Sequence, residues 1–463
     1  MLDQDSKRVC SQCLRNDEEL YRIIVNDTDS HLSCDYCQSD EPTLSMMVLG
    51  NKSDWLIENY YSPAYYDDST EEIDGIPLYS VLEEEVTSNV GVIEDLIEIL
   101  KDCWFEWGTH DHKYGEDPHF NPAITISGKL SKKWSLMEKK LRQSNRFFNQ
   151  EAFETFEEVF GYLFDNHPSA FITLPAETSF YRGRIFKSED EIADALRMPE
   201  ARLGPPPSDV APSGRMNARG ISVFYGATSQ VNAISEVRPP VGSFVVVSEF
   251  NLLRSVRLLD LTTLSRLGVN GISKFNPEYL HRYERSSFIK TLSRKLVMPV
   301  VPELAESNYL LTQAIADYLS ITPRYELDGI MFSSAQMPFE KKEEKANNVI
   351  LFHKSSSVLN ADRRRLEAVV EMYQDDERGE SFEPEITTST NDFRKEFVVL
   401  SRMKPKRDVL ALNLDGIVIH EVTGVVFKTA PTPVTHYQRK ADAHPSDISH
   451  AKSDCTTDPE NEF

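Results

Sequence analysis

Between Gly214 and Pro240 the chain reads GRMNARGISVFYGATSQVNAISEVRPP, and this stretch leaves few local folds open. Glycines bracket a turn. Ile221, Val223 and Tyr225 then alternate with Ser222 and Phe224 as in a short strand, and Thr228 or Ser229 starts a helix whose apolar stripe is Ala233, Ile234 and Val237. A helix that doubles back on its strand puts the Tyr225 hydroxyl and the Glu236 carboxylate in one cleft. Arg182, in the run Tyr181-Arg182-Gly183-Arg184, is expected on a neighbouring strand. It would complete a pocket suited to a phosphate and to a developing positive charge.

The cysteines constrain the other end of the chain. Cys10-x2-Cys13 and Cys34-x2-Cys37 are two knuckles that together offer four thiolates to one tetrahedral Zn²⁺. Four thiolates leave no open coordination position, so such a metal is structural. Leu20, Tyr21, Ile23, Ile24 and Val25 between the knuckles read as a strand pair. Six cysteines in 463 residues are too few for a disulfide scaffold.

A chain of this length has room for about three domains at ~150 residues each. It contains no long apolar run and its first residues have no apolar signal core, which predicts a soluble, cytoplasmic protein with no membrane span. The net charge is −24, and −20 of it falls before residue 166. So acidic a half excludes broad nucleic-acid binding, which needs clustered Lys and Arg. The exception is Lys129 to Arg146, with seven basic residues against Glu138; it reads as a solvated helix face or, failing that, as a docking strip for RNA or an acidic partner. His110, His112 and His119 with Asp111 and Asp117 could ligate a metal, but their spacing fits no well-separated knuckle pattern and they read as a plain polar surface loop.

In order, the chain reads as a zinc knuckle (1–40), a mainly helical acidic domain (41–168), a mixed α+β domain (169–360), a helix and linker (361–395), a small β appendage (396–429) and a disordered tail (430–463). Helical stripes run over Val90 to Trp107, Glu151 to Asp165 and Asn308 to Ser320. Strands are expected at Gly242 to Phe250, Ser255 to Leu261, Gly329 to Phe332 and Asn348 to His353, and in the appendage at Phe397 to Leu400, Val409 to Leu412, Ile417 to Glu421 and Val425 to Lys428.

Five blocks in this order resemble the RES domain, the toxin of bacterial toxin–antitoxin pairs: Tyr181-Arg182-Gly183, Gly214 to Gly220, Phe224 to Ala227, Ala233 to Val237, and Asp328-Gly329-Ile330-Met331-Phe332-Ser333-Ser334. Met216 and Ala218 depart from the family's aromatic and proline within the turn. The knuckle and acidic helices resemble the N-terminal module fused to some RES and HEPN toxins. The resemblance implies an ADP-ribosyltransferase-like sheet and action on NAD⁺, either degrading it or transferring ADP-ribose. It also implies site residues. Glu236 would stabilise an oxocarbenium-like cation at the ribose, and Arg182 would hold phosphate oxygens. Tyr225 would stack and bind the ribose, Ser334 (or Ser333) would donate a neutral hydrogen bond, and Asn217 and Arg219 would line the dinucleotide site or simply shape the turn.

The leading expectation is an NAD⁺ glycohydrolase or phosphorylase that arrests growth by depleting NAD⁺ and is held in check by an antitoxin or other regulatory partner. An ADP-ribosyltransferase acting on a macromolecule is the alternative within the fold. A zinc-containing nucleotide or partner sensor without turnover is the alternative outside enzymology. The sequence determines neither the acceptor nor the oligomeric state.

Overall fold

The computed structural model describes residues 7–426 apart from 28–29, 65, 68–71, 74, 125, 145, 147–148, 270, 299–304, 335–345, 360–367, 377–378 and 388–407, together with 432–434. Residues Met1–Val422 form one compact unit and Thr423–Phe463 a second.

The first unit begins with a short antiparallel pair, Arg8–Cys10 against Thr43–Ser45. Between them lies helix α1, Glu18–Val25. The apolar run expected as a strand pair is therefore helical. Asp17 caps it by accepting from the N–H groups of Glu19 and Leu20, two acidic residues follow in the first turn, and Leu20 and Ile24, four apart, are its buried face. Helices α2 (Met46–Tyr60), α3 (Leu78–Glu85) and α4 (Val90–Trp104) pack with α1 around one core that includes Leu49, Ile57, Leu96 and Trp104. Knuckle and helices thus share a core instead of forming separate domains.

Helix α5 (Lys129–Gln143), then α6 (Gln150–Phe156) running through a π-helical stretch, Glu157–Gly161, into α7 (Tyr162–Asn166), belong to a different core. Leu130, Trp134 and Phe156 there meet Ile289, Leu319 and Ile350 from much later in the chain. The packing therefore divides between Phe120 and Leu130, earlier than the boundary expected at residue 168.

An eight-stranded mixed sheet follows. Its strands are β1 (Phe171–Leu174), β2 (Ser179–Phe186), β3 (Phe224–Ala227), β4 (Phe244–Leu252), β5 (Val256–Asp260), β6 (Gly329–Ser333), β7 (Asn347–Leu351) and β8 (Leu410–Glu421). Their order is β1-β5-β6-β7-β3-β2-β4-β8, antiparallel throughout except for the β5–β6 pair. Helices α8 (Glu189–Leu196), α9 (Pro199–Leu203), α10 (Gln230–Val237), α11 (Leu261–Leu264), α12 (Glu278–Val297) and α13 (Ala305–Ile321) lie between strands. The mixed α+β class expected from the alternation of strand and helix patterns is what forms.

Two expectations downstream are corrected. Val409 to Leu412 and Ile417 to Glu421 are not part of a separate appendage. They are two halves of β8, which pairs with β4 from Phe244↔Glu421 to Leu252↔Leu410 across a bulge at Ser248/Glu249. The segment expected as a helix and linker contains an antiparallel hairpin, Val369–Asp376 with Gly379–Thr387, whose Val370, Met372 and Ile386 alternate with polar residues and pack toward α8. Val425 and Val426 are in no strand. The strand expected at Phe397 to Leu400 lies outside the described residues, as does the tail from Ala430 apart from 432–434.

Candidate active site

Ser229 is the N-cap of α10, its hydroxyl accepting from the Asn232 N–H. Seven residues on, the Glu236 carboxylate stands exposed at the helix's last turn. Its Oε1 accepts two hydrogen bonds, one from Ser334 Oγ at 3.0 Å and one from Asn348 Nδ2 at 2.7 Å. Asn348 is itself held from below, its Oδ1 accepting from Asn232 Nδ2 at 3.0 Å. Asn232 is 0% exposed and Asn348 4%, so this amide pair is a buried floor under the carboxylate. Among the described residues Glu236 has no ion-pair partner, and Arg238, two residues on, closes the helix in the left-handed region at φ 49°. Both of its described hydrogen-bond donors are neutral.

The sequence motifs point to Glu236 and Ser334 but not to Asn232 or Asn348. Ser334 rather than Ser333 is the serine on Glu236. Asn347 and Asn348 open a strand otherwise made of Val, Ile and Leu. A polar side chain there is the one local signal, and it points nowhere until the β3–β7 and β6–β7 registers are known. Those registers set Asn348 beside Ala227 on one side and Phe332 on the other.

Tyr225 lies on the same face, since its partner Ile350 is two residues from Asn348. Its hydroxyl donates to Asn217 Oδ1 at 2.7 Å and accepts from the Met216 N–H at 3.1 Å. Burial pushes the phenol pKa up to about 12, against the Met216 hydrogen bond and the charges of Arg182 and Arg215. Asn217 in turn donates to the carbonyls of Pro212 and Ile221. A side chain at Gly214 would place its Cβ 2.6 Å from the Tyr225 hydroxyl, so only glycine lets this turn close over the ring. Asn217 is thereby fully engaged in shaping the turn, and Tyr225 has its ring face, not its hydroxyl, left to offer. Arg219 is exposed on the same loop.

Arg182 is placed differently from the expectation. Strands β2 and β3 share a single residue pair, Tyr181↔Ala227, and then part. The Arg182 guanidinium bridges the opening and donates to the Tyr225 carbonyl at 2.8 Å, 5.8 Å from the centre of the Phe224 ring. A Cβ on Gly183 would lie 2.8 Å from the Ala233 carbonyl oxygen, so that position faces α10. Its neighbour Arg182 therefore leaves the strand on the side away from α10 and Glu236. Burial first, and the Arg184 charge second, push its pKa down to about 9, which leaves it cationic at neutral pH. The guanidinium on Glu236's face is that of Arg215, which donates to the Val297 carbonyl at 3.0 Å and lies 5.9 Å from the centre of the Phe332 ring.

The carboxylate on α10 with its serine, the tyrosine clasped by a GRMN turn and the distal DGIMFSS segment are brought together by one sheet and the helix packed on it. Residues 181–372 match the family model of the RES domain. The chain carries a RES domain. It spans under half of the chain, and no curated protein and no solved structure matches the sequence. Within the RES domain the Asp of the distal block is structural. Asp328 pairs with Arg254 at 2.7 Å and accepts from the Arg257 N–H at 2.9 Å, tying the start of β6 to β5.

Outside the RES domain, Cys10, Cys13, Cys34 and Cys37 bring their sulfurs within 4.8 Å of one another. The Cys10–Cys37 and Cys13–Cys34 separations of 3.5 and 3.9 Å bracket the edge of roughly 3.8 Å that four Zn–S bonds of about 2.3 Å would give a tetrahedron. The Cys10 N–H donates to Cys34 Sγ at 3.3 Å, a contact that favours thiolate. The four thiols thus fit a closed metal site. Three of the six basic side chains of α5 are ion-paired, Lys133 with Glu158, Lys140 with Glu151 and Arg142 with Glu138. Those pairs favour the solvated-face reading over an RNA surface. Among the described residues the loop histidines 110, 112 and 119 form no metal-ligand cluster, and no helix is long and apolar enough to cross a membrane.

Proposed function

We propose that the RES domain consumes NAD⁺ by cleaving its nicotinamide–ribose bond. The observation that carries this reading is the Glu236 carboxylate, which among the described residues has no ion-pair partner and is oriented by Ser334 and Asn348. Cleavage sends the electron pair of the C1′–N bond onto the pyridinium nitrogen, releasing neutral nicotinamide and leaving positive charge on the ribose. A fixed carboxylate without a counter-ion stabilises that charge as it develops. Water, or phosphate, then adds at C1′ and gives up a proton, yielding ADP-ribose or its phosphate. Arg215 is the guanidinium on this face for the pyrophosphate, the Tyr225 ring offers a stacking surface, and Arg182 acts by holding the Tyr225 backbone. Depletion of NAD⁺ would arrest growth, and a neutralising partner would be needed.

The test is NAD⁺ turnover by the full-length protein and by Glu236→Gln, following nicotinamide release. Loss of at least 10²-fold in kcat with unchanged far-UV circular dichroism is expected, the scale on which removal of one transition-state charge partner acts. Equal turnover by the variant, or none by the wild type with its turn and zinc content intact, would sink the reading. Label retained on protein or nucleic acid instead of free ADP-ribose would assign the transferase reaction. We further propose Zn²⁺ as the metal of the four-cysteine site.

A further inference from the structure

A cavity of about 360 Å³ shares no residue with the Glu236 site. It lies between the end of α7, the segment that follows α11 and the first half of α12. Arg266, Arg282 and His167 line it together with Ser169, Thr263 and Ser286, and none of its lining residues is Asp or Glu. Arg282 and Ser286 stand four apart on α12, and Tyr162 and Asn166 four apart on α7, so each helix turns one face to the same space. Neither Arg266 nor Arg282 enters an ion pair among the described residues. At the wall residue Tyr162 the charge of Glu278 acts against those of Arg282 and Arg285.

Two polar atoms of the lining are buried without a well-formed hydrogen bond: His167 Nε2, and Ser286 Oγ, whose neighbour is the Tyr162 hydroxyl beyond good hydrogen-bond geometry. Ser286 is only 3% exposed. A buried donor left unmatched is costly, and guanidinium groups without a counter-ion add an unspent positive field. An anion with several acceptor oxygens answers both, and the cavity is at the small end of the range of ligand sites, roughly 300–1,000 Å³. We propose that this cavity binds a small phosphorylated molecule, its phosphate held between Arg266 and Arg282 and accepting hydrogen bonds from Ser286 and His167.

The experiment titrates the full-length protein with inorganic phosphate and, separately, with ribose 5-phosphate, following the melting temperature against sodium chloride of matched ionic strength. A saturable rise beyond the chloride control is expected with at least one of them, ribose 5-phosphate alone indicating that the sugar is also read. In the Arg266→Gln/Arg282→Gln double variant, whose two side chains are exposed, the apparent Kd is expected to rise at least tenfold. In Glu236→Gln it is expected to stay unchanged. Should the double variant fail to fold by circular dichroism, Ser169→Asp, which adds a like charge at an exposed lining position, is expected to weaken binding by the same factor. No saturable shift, an unchanged Kd in the arginine or Ser169 variant, or loss of binding in Glu236→Gln would overturn the proposal.

Discussion

At the scale of single residues, the candidate site separates side chains that touch the carboxylate from those that build its surroundings. Ser334 donates to Glu236 directly, whereas Ser333 is exposed on the opposite face of the strand end. Ser334→Ala is expected to lower NAD⁺ turnover about tenfold, the effect of losing one hydrogen bond to a charged group, while Ser333→Ala leaves it within twofold; steady-state kinetics on both variants checks this. The buried Asn232–Asn348 pair also corrects a bias of sequence reading, which favours charged and aromatic residues as site candidates. Amides carry no charge to draw attention, yet here they fix where the charge sits. Arg182 shows the converse. As a residue type it was an obvious phosphate ligand, and its position in the parting of β2 and β3 makes it a brace for Tyr225.

At the scale of elements, α10 is seated by the absence of a side chain at Gly183, where the Ala233 carbonyl closes to within 2.8 Å of the place a Cβ would take. Gly183→Ala forces the helix off β2. It is expected to cost about 1–3 kcal/mol of stability, read from urea unfolding, and to lower turnover because Glu236 moves with the helix. The knuckle makes a separate prediction. Burial pushes the Cys13 and Cys34 thiols above their ordinary values, while Ser39 draws Cys37 down to about 6. Buried thiols that resist ionisation without a cation gain it on metal binding. One Zn²⁺ per chain is expected by elemental analysis, and Cys34→Ser or a strong chelator should remove it and lower the melting temperature. Metal-free protein that melts at the same temperature would refute a structural role.

At the scale of the whole molecule, the N-terminal half is built into the RES domain's support. Phe275 and Tyr279, within the RES match, complete the core of α1–α4. Lys274 pairs with Glu85, and its carbonyl accepts from the Tyr60 hydroxyl at 2.9 Å. Phe275→Ala is expected to cost about 3–5 kcal/mol and to lower the midpoints of metal release and of RES-domain unfolding together. A second tie is Glu157 in the π-helical stretch, whose carboxylate takes hydrogen bonds from Tyr318 and Tyr325 and an ion pair from Arg324. The Tyr318 bond first, then Tyr325 and Arg324, hold its pKa below the ordinary 4.5, against burial. A depressed folded-state pKa contributes stability that is present above the unfolded value and lost as pH falls through the folded one. Tyr318→Phe is therefore expected to flatten the loss of stability below pH 4.5, measured by denaturant midpoints from pH 6 to pH 3.

The order of the RES blocks, the Ser229-capped helix, the two cysteine knuckles and the mixed α+β class were determined by the sequence alone, because each depends on chemistry within a few residues: a cap, a glycine turn, an alternation, a fixed ligand spacing. The strand register that sets Asn348 under Glu236, the side of the sheet from which Arg182 leaves, the capture of Leu410–Glu421 by β4 and the division of the helices between two cores were decided only by tertiary structure. Those features join residues far apart in the chain, and a one-residue change of register would turn every side chain to the other face without altering any local pattern.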